Sequence, residues 1–313
     1  MSDSEHDYKY EFSLEKVQKT IEEQFTDLID GKKPSENPNV VFMGGLPGAG
    51  KSTAIKNIAK NLGGNFVELD IDEFRQFHPH IKDIAKIARM PEMRKKGKLS
   101  YMADQTGEFA WQVKEGLKEK LKAGRYNVVI DGTLHTAEPI LDATKEFKAE
   151  GYKASVVEMV ATDKKTALKG TKDRFDEEVA DEKAMLEAGL DPDVYPRPVE
   201  EEYLDLVAER LPGSVRELHE SGEFERIRLV NREGGIHYDS IGTPELDPAD
   251  VMRRCLAGEA VPAFGEDELE KSIKEQKAYE RQGVKTKDRT QVSENYQKLP
   301  SEPSKDMNLP TRK

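Results

Sequence analysis

Cysteine is nearly absent, with Cys255 the single one in 313 residues. Without a second thiol there is no internal disulfide, which fits a reducing compartment and a fold that needs no covalent staple. The six histidines (6, 78, 80, 135, 219 and 237) are scattered and lack cysteine neighbours, so no zinc-binding pattern is present. No apolar run approaches the roughly 18–20 residues of a membrane span. The acidic, polar start MSDSEHDYKYEF lacks the basic stretch and apolar segment of a secretory signal. These absences predict a cytoplasmic protein with no membrane partner. Basic charge is also in deficit: 49 Lys and Arg stand against 61 Asp and Glu, a formal net charge of −12. A protein that coats nucleic acid needs the opposite balance, so nucleic acid is not an expected partner. A local basic pocket for a small phosphate ligand remains open. The hydrophobic fraction, 36% against 35% charged, is low for a globular protein but sufficient for a core.

What is present alternates. Phe12, Leu14, Val17, Ile21, Phe25 and Leu28 recur at helical spacing, predicting a helix over 10–33 with Gly31 at its end. Apolar runs at 40–43, 66–70, 127–130, 153–160 and 227–230 predict strands. Helical patterns lie between them at 52–62, 99–122, 137–149, from Lys164 past Arg174, and at 199–211. Gly234-Gly235 predicts a turn before Ile236-His237-Tyr238. The alternation predicts an α/β fold, a mostly parallel sheet covered by helices on both faces. Residues 246–313 hold equal numbers of acidic and basic side chains, so the whole net charge belongs to residues 1–245. The expected organisation is an N-terminal helix and linker over 1–38, a nucleotide-binding domain over 39–245, and a charged tail over 246–313. In the tail a helix is expected at 266–282, and flexibility from about 284.

Gly45-Leu46-Pro47-Gly48-Ala49-Gly50-Lys51-Ser52 fits G-x-x-x-x-G-K-[ST], between a predicted strand and a predicted helix. Glycines let successive backbone N–H groups turn toward one anion, and the helix N-terminus adds favourable partial charge. Lys51 is placed to reach the β- and γ-phosphates, and Ser52, followed by Thr53, to meet Mg²⁺. This loop predicts a nucleotide, ATP or GTP, but not a reaction.

Three further sets narrow the chemistry. Asp70 and Asp72, two apart at the end of the second strand, share a face if the chain there is extended. Either they cap the next helix or one accepts a proton from an attacking hydroxyl. Asp131, with Gly132 and Thr133, ends the strand over 127–130; it is either a Mg²⁺-holding carboxylate or a substrate contact. Arg174 and Arg197 lie beyond the fourth strand, where a phosphate-covering lid needs cations.

In order, Gly44 to Ser52, Asp70-Ile71-Asp72-Glu73-Phe74-Arg75 with His78-Pro79, Asn127 to Thr133, Gly151-Tyr152, Thr171-Lys172-Asp173-Arg174-Phe175 and Asn231-Arg232-Glu233-Gly234 resemble the zeta-toxin family of P-loop kinases. The resemblance runs from about residue 12 to about 245. It implies a P-loop kinase fold and a Mg²⁺-dependent kinase that uses ATP or GTP to phosphorylate the 3′-hydroxyl of UDP-N-acetylglucosamine, a peptidoglycan precursor. It further implies a toxin restrained by a separate small helical antitoxin. Carried over by residue, Lys51 binds phosphates, Ser52 helps hold Mg²⁺, Asp72 is the general base, and Arg174 and Arg197 stabilise the transferred phosphoryl group. Glu108, Asp131 and Thr133 fall where the family contacts the sugar nucleotide. Asp131 stands where the family usually has Glu, and residues 176–196 are unusually acidic. Both departures bear on the acceptor more than on the nucleotide. The rival readings are a kinase for another small hydroxyl acceptor and a nucleotide-dependent switch or NTPase.

Overall fold

The computed structural model describes residues 10–281 apart from 62, 89, 91–100, 153, 191, 193 and 194. Helix α1 (Leu14–Leu28) opens at Ser13, whose hydroxyl accepts from the Lys16 N–H. Then come β1 (Asn39–Gly45), α2 (Lys51–Asn61), β2 (Val67–Leu69), α3 (Ile71–Phe74) and a 3₁₀ turn (Arg75–Phe77). Helices α4 (Ile81–Ala88) and α5 (Tyr101–Ala123) lead to β3 (Val128–Asp131), α6 (Glu138–Ala149) and β4 (Ala154–Val160). The chain continues through α7 (Lys164–Glu187), α8 (Glu201–Glu220), β5 (Arg226–Val230) and β6 (Ile236–Asp239), ending in α9 (Pro248–Leu256) and α10 (Glu266–Arg281).

The strands form one sheet in the order β2-β3-β1-β4-β5-β6, parallel except for β6, which returns antiparallel on β5 after the Gly234-Gly235 turn. Strand β1 is buried along almost its whole length, as a strand covered on both faces must be. The expected α/β architecture is therefore present. Two helices outrun their sequence signals. Helix α8 continues through Pro212, because Val215 and Leu218 extend its buried stripe beyond the proline. Helix α7 runs to Glu187 although the segment is acidic.

The expected boundaries at 38 and 245 do not partition the core. Val17 and Ile21 of α1 belong to the main hydrophobic cluster, as do Val251, Met252 and Cys255 of α9 and Leu269 and Ile273 of α10. Gly116 of α5 lets α1 approach closely: a Cβ there would meet the Ile21 Cδ1 at 2.3 Å. The helix expected at 266–282 is present as α10, and α9 and α10 pack into the core. Their balanced charge masks apolar residues spaced for helices, which burial on β5, β6 and α8 rewards. The flexible stretch expected from about 284 lies outside the described residues.

Candidate active site

Three neighbouring strand ends meet at one edge of the sheet. Strand β1 delivers the glycine-rich loop, β3 delivers Asp131, and β2 delivers Asp70 and α3. Because β3 lies between β1 and β2, Asp131 comes between the loop and the Asp70–Asp72 pair. Ligands of open α/β sheets bind at this carboxyl edge.

The loop needs its glycines for two reasons. Gly45, Gly48 and Gly50 have φ of +130°, +76° and +98°, which other residues adopt only under strain. Space is equally restrictive. A Cβ on Gly48 would lie 2.3 Å from the Ala167 carbonyl oxygen, and one on Gly170 would lie 2.4 Å from the Gly48 carbonyl oxygen. The loop and the first turns of α7 therefore pack backbone on backbone. Gly170→Ala, which introduces no φ problem, is expected to push the loop off position and cut kcat/KM for nucleotide by about 10²-fold, as misplacement near 1 Å does. Steady-state kinetics with unchanged far-UV circular dichroism checks this.

A cleft of about 540 Å³ opens beside the loop. Of the residues singled out in the sequence, Lys51, Asp70, Asp72, Asp131, Thr133, Arg174 and Arg197 all line it, with Pro47 of the loop. Gly45, Leu46, Gly48, Ala49 and Gly50 shape the loop behind this wall, with Leu46 and Ala49 fully buried. Ser52 and Thr53 are exposed on the first turn of α2.

Asp70 and Asp72 are not in an extended segment. Strand β2 stops at Leu69, and Asp70 is the N-cap of α3, its Oδ1 accepting from the Asp72 N–H at 2.9 Å. Asp72 sits in the first turn, free of capping duty. The Arg75 Nε donates to its Oδ1 at 2.7 Å, and the Arg197 Nη1 lies 3.8 Å from its Oδ2. Burial pushes the Asp72 carboxyl up, but Arg75, Arg197 and Arg174 together outweigh it and hold the group below the usual carboxylate range. Arg75 is itself pinned to α5, donating to the Ala103 carbonyl at 2.9 Å.

Arg174 and Arg197 converge on one carboxylate. Glu178, buried on α7 and one turn beyond Arg174, accepts from the Arg197 backbone N–H at 2.8 Å and its Nη2 at 2.9 Å. The Arg174 Nε lies 3.8 Å from the same side chain, is itself buried, and makes no hydrogen bond. A guanidinium held near, but not on, its counter-ion is poised for an incoming anion.

Asp131 differs from Asp72. Burial pushes its carboxyl up to about 6; Lys51 pulls the other way and Asp70 adds to the rise. Its Oδ1 is buried with no hydrogen-bond partner. Beside it, the Thr133 hydroxyl and the His135 Nδ1 are 2.6 Å apart.

Glu108 does not join this group. It is exposed on α5 and absent from the cleft wall. Ala103 and Lys114, eleven residues or about three turns apart, form the inward stripe, and Glu108 is rotated some 140° from Ala103. Arg75, Lys114 and Glu178 carried no role in the sequence reading. Arg75 and Glu178 stand three and four residues from Asp72 and Arg174, spacings that mean contact once both segments are helical.

A glycine-rich loop between the central strand of a mostly parallel sheet and its helix, facing a carboxylate two strands away, is a P-loop kinase fold. A family model described as Zeta toxin matches residues 24–242, and the chain belongs to the zeta-toxin family. It is 31% identical over 232 residues to Toxin PezT of Streptococcus pneumoniae serotype 4 (strain ATCC BAA-334 / TIGR4), covering 74% of this chain and 83% of that protein. It is 27% identical over 245 residues to Toxin zeta of Streptococcus pyogenes, covering 78% of each. A solved structure from the characterization of the PezAT chromosomal toxin–antitoxin system of Streptococcus pneumoniae is similar with a TM-score of 0.63 at 24% identity, over 87% of this chain and 97% of that one. Among the described residues, no helix is long and apolar enough to cross a membrane.

Proposed function

We propose that the protein is a cytoplasmic kinase that transfers the γ-phosphoryl group of ATP or GTP to the 3′-hydroxyl of UDP-N-acetylglucosamine. The observation that carries this reading is Asp72: an ionised carboxylate in a cleft, across from Lys51 and flanked by Arg75, Arg174 and Arg197. Lys51 and the loop N–H groups bind the β- and γ-phosphates. Asp72 accepts the proton of the acceptor hydroxyl as that oxygen attacks phosphorus in line. Arg174 and Arg197 leave Glu178 in part to meet the charge on the transferred group. Asp131 and Thr133 hold acceptor hydroxyls from the opposite side. Ser52 fits a Mg²⁺ ion, because its hydroxyl is exposed beside Lys51 and has no protein partner among the described residues. Bound there, the ion neutralises phosphate charge.

The biological reading follows the relatives, which are toxins by name, one of them from a toxin–antitoxin system. This chain acts as a toxin that depletes a cell-wall precursor, and its antitoxin is a separate chain. Helix α1 supports that division, since Val17, Thr20 and Ile21 are committed to the kinase core and leave the cleft open.

Purified protein incubated with Mg²⁺, ATP or GTP, and UDP-N-acetylglucosamine is expected to yield a sugar nucleotide one phosphate heavier by mass spectrometry. Lys51→Ala is expected to abolish it. Nucleotide consumption without a heavier product would refute the acceptor.

A further inference from the structure

Helix α5 carries four lysines in its second half, and three of them are neutralised. Lys118 meets Glu115 at 2.5 Å and Glu146 at 3.1 Å. Lys120 pairs with Glu22, and Lys122 pairs with Glu119 at 2.8 Å. Lys114 is the exception. It is half-buried, lines the cleft, and has no carboxylate within ion-pairing reach among the described residues. A half-buried cation with no protein counter-ion is stabilised by a ligand that completes its contacts.

Its surroundings say what that ligand presents. Burial pushes the Lys114 ammonium down, while Glu115, Asp70 and Asp131 pull it up from a distance. Asp70 and Asp131 face the same cleft, and the Asp131 Oδ1 is a buried acceptor there with no hydrogen-bond partner. An unmet donor and an unmet acceptor thus look into one space without touching. A group that fills it must accept from Lys114 and donate to Asp131. A sugar hydroxyl next to an anionic oxygen does both.

We propose that Lys114 is a specificity-determining residue that binds an anionic oxygen of the phosphoryl acceptor, so that the cleft selects phosphorylated sugars over neutral ones. The inference rests on the kinase reading and names a determinant within that site. Lys114 takes the acceptor's charge, while the arginines across the cleft take the donor's. The division keeps the two phosphate groups apart and gives the acceptor one orientation, with its hydroxyl toward Asp72.

The test uses the full-length protein, wild type and Lys114→Met, with UDP-N-acetylglucosamine, N-acetylglucosamine 1-phosphate and neutral N-acetylglucosamine. Kinetics are read as separate KM values for acceptor and ATP. Binding is read from Trp111, the only tryptophan, which is 55% exposed one turn before Lys114. The expected result is an acceptor KM and dissociation constant raised at least tenfold for both phosphorylated sugars. The ATP KM stays within about twofold, neutral-sugar binding is unchanged, and Lys114→Arg restores most of the loss. A lysine that merely balanced Asp70 and Asp131 would instead alter kcat or melting temperature and leave this discrimination intact, which overturns the proposal. Wild-type acceptor KM in a Lys114→Met variant that still phosphorylates the sugar nucleotide overturns it while sparing the kinase reading. Binding of the phosphorylated sugars without transfer refutes the kinase reading, and the Lys114→Met binding ratio then decides the proposal. If wild type binds no phosphorylated sugar, both fall.

Discussion

Asp72→Asn is expected to lower kcat by about 10²–10⁴-fold, the range of a lost general base, with the nucleotide KM within about twofold. Asparagine is the informative replacement because it removes charge and basicity but keeps shape. Its side-chain oxygen still accepts from the Arg75 Nε, which now sits 2.7 Å from Oδ1. The cap of α3 is untouched, since Asp70 supplies it to the Asp72 backbone N–H. Little stability is at stake, because the Asp72 side chain is 36% exposed and its ion pairs are screened. A folded Asp72→Asn variant with near wild-type turnover would remove the base assignment. The pH profile separates the two carboxylates. Asp72 is held below the usual range, so as base it keeps kcat/KM level until the pH falls below that range. Asp131 is raised to about 6, and as base it would give an acid limb there. A limb near 6 that disappears in Asp131→Asn would transfer the role. A weak base suffices for the chemistry, because a loose phosphoryl-transfer transition state asks little of the attacking oxygen.

Arg228→Met is expected to cost about 3–5 kcal/mol in unfolding free energy at neutral pH, the usual penalty for removing one partner of a buried charge cluster. Arg228, on β5, is buried. Its Nε donates to the Asp239 Oδ2 at 3.0 Å, its Nη2 reaches Glu266 of α10, and its Nη1 lies 3.9 Å from Glu158 on β4. Arg226 also holds Asp239, at 2.7 Å, and Glu270, at 3.2 Å, so Asp239 keeps one cation when Arg228 goes. Among the described residues, Glu158 keeps no partner at ion-pair distance. Its carboxyl is already pushed up to about 7 by burial, against the pull of Arg228. A folded pKa above the unfolded value of 4.5 means that the folded state holds the proton more tightly. The stabilising contribution is complete below 4.5 and is lost as pH rises through 7. Without Arg228 the loss is larger and extends to higher pH, so the variant is less impaired at pH 5 than at pH 8. Urea unfolding at the two pH values measures this, and a pH-independent loss below about 1 kcal/mol would contradict it.

Much of the nucleotide end was legible because its logic is local. Eight consecutive residues build the loop from Gly45 to Ser52, and the strand before it and helix after it follow from short-range patterns. The acceptor end was less legible. Glu108 was placed there by the resemblance, and the helical phase of α5 turns it outward and brings Lys114 in. The helix at 266–282 was legible, but that Met252, Leu269 and Ile273 join the core was not, because balanced charge says nothing about whether they find a surface to cover.

The sequence alone determined the strand–loop–helix unit, the alternation that makes a parallel sheet, and the ordered motifs that place the chain in its family, because each depends on residues within a few positions of one another. Tertiary structure decided the rest. It set β3 between β1 and β2, which puts Asp131 between Lys51 and Asp72. It brought Arg197 onto Glu178, 19 residues earlier in the chain. Among the described residues, it also left Lys114 without a carboxylate at ion-pair distance while its neighbours are paired. Charge pairing and burial are pairwise properties of side chains far apart in sequence, and only the packed sheet and helices fix which of them meet.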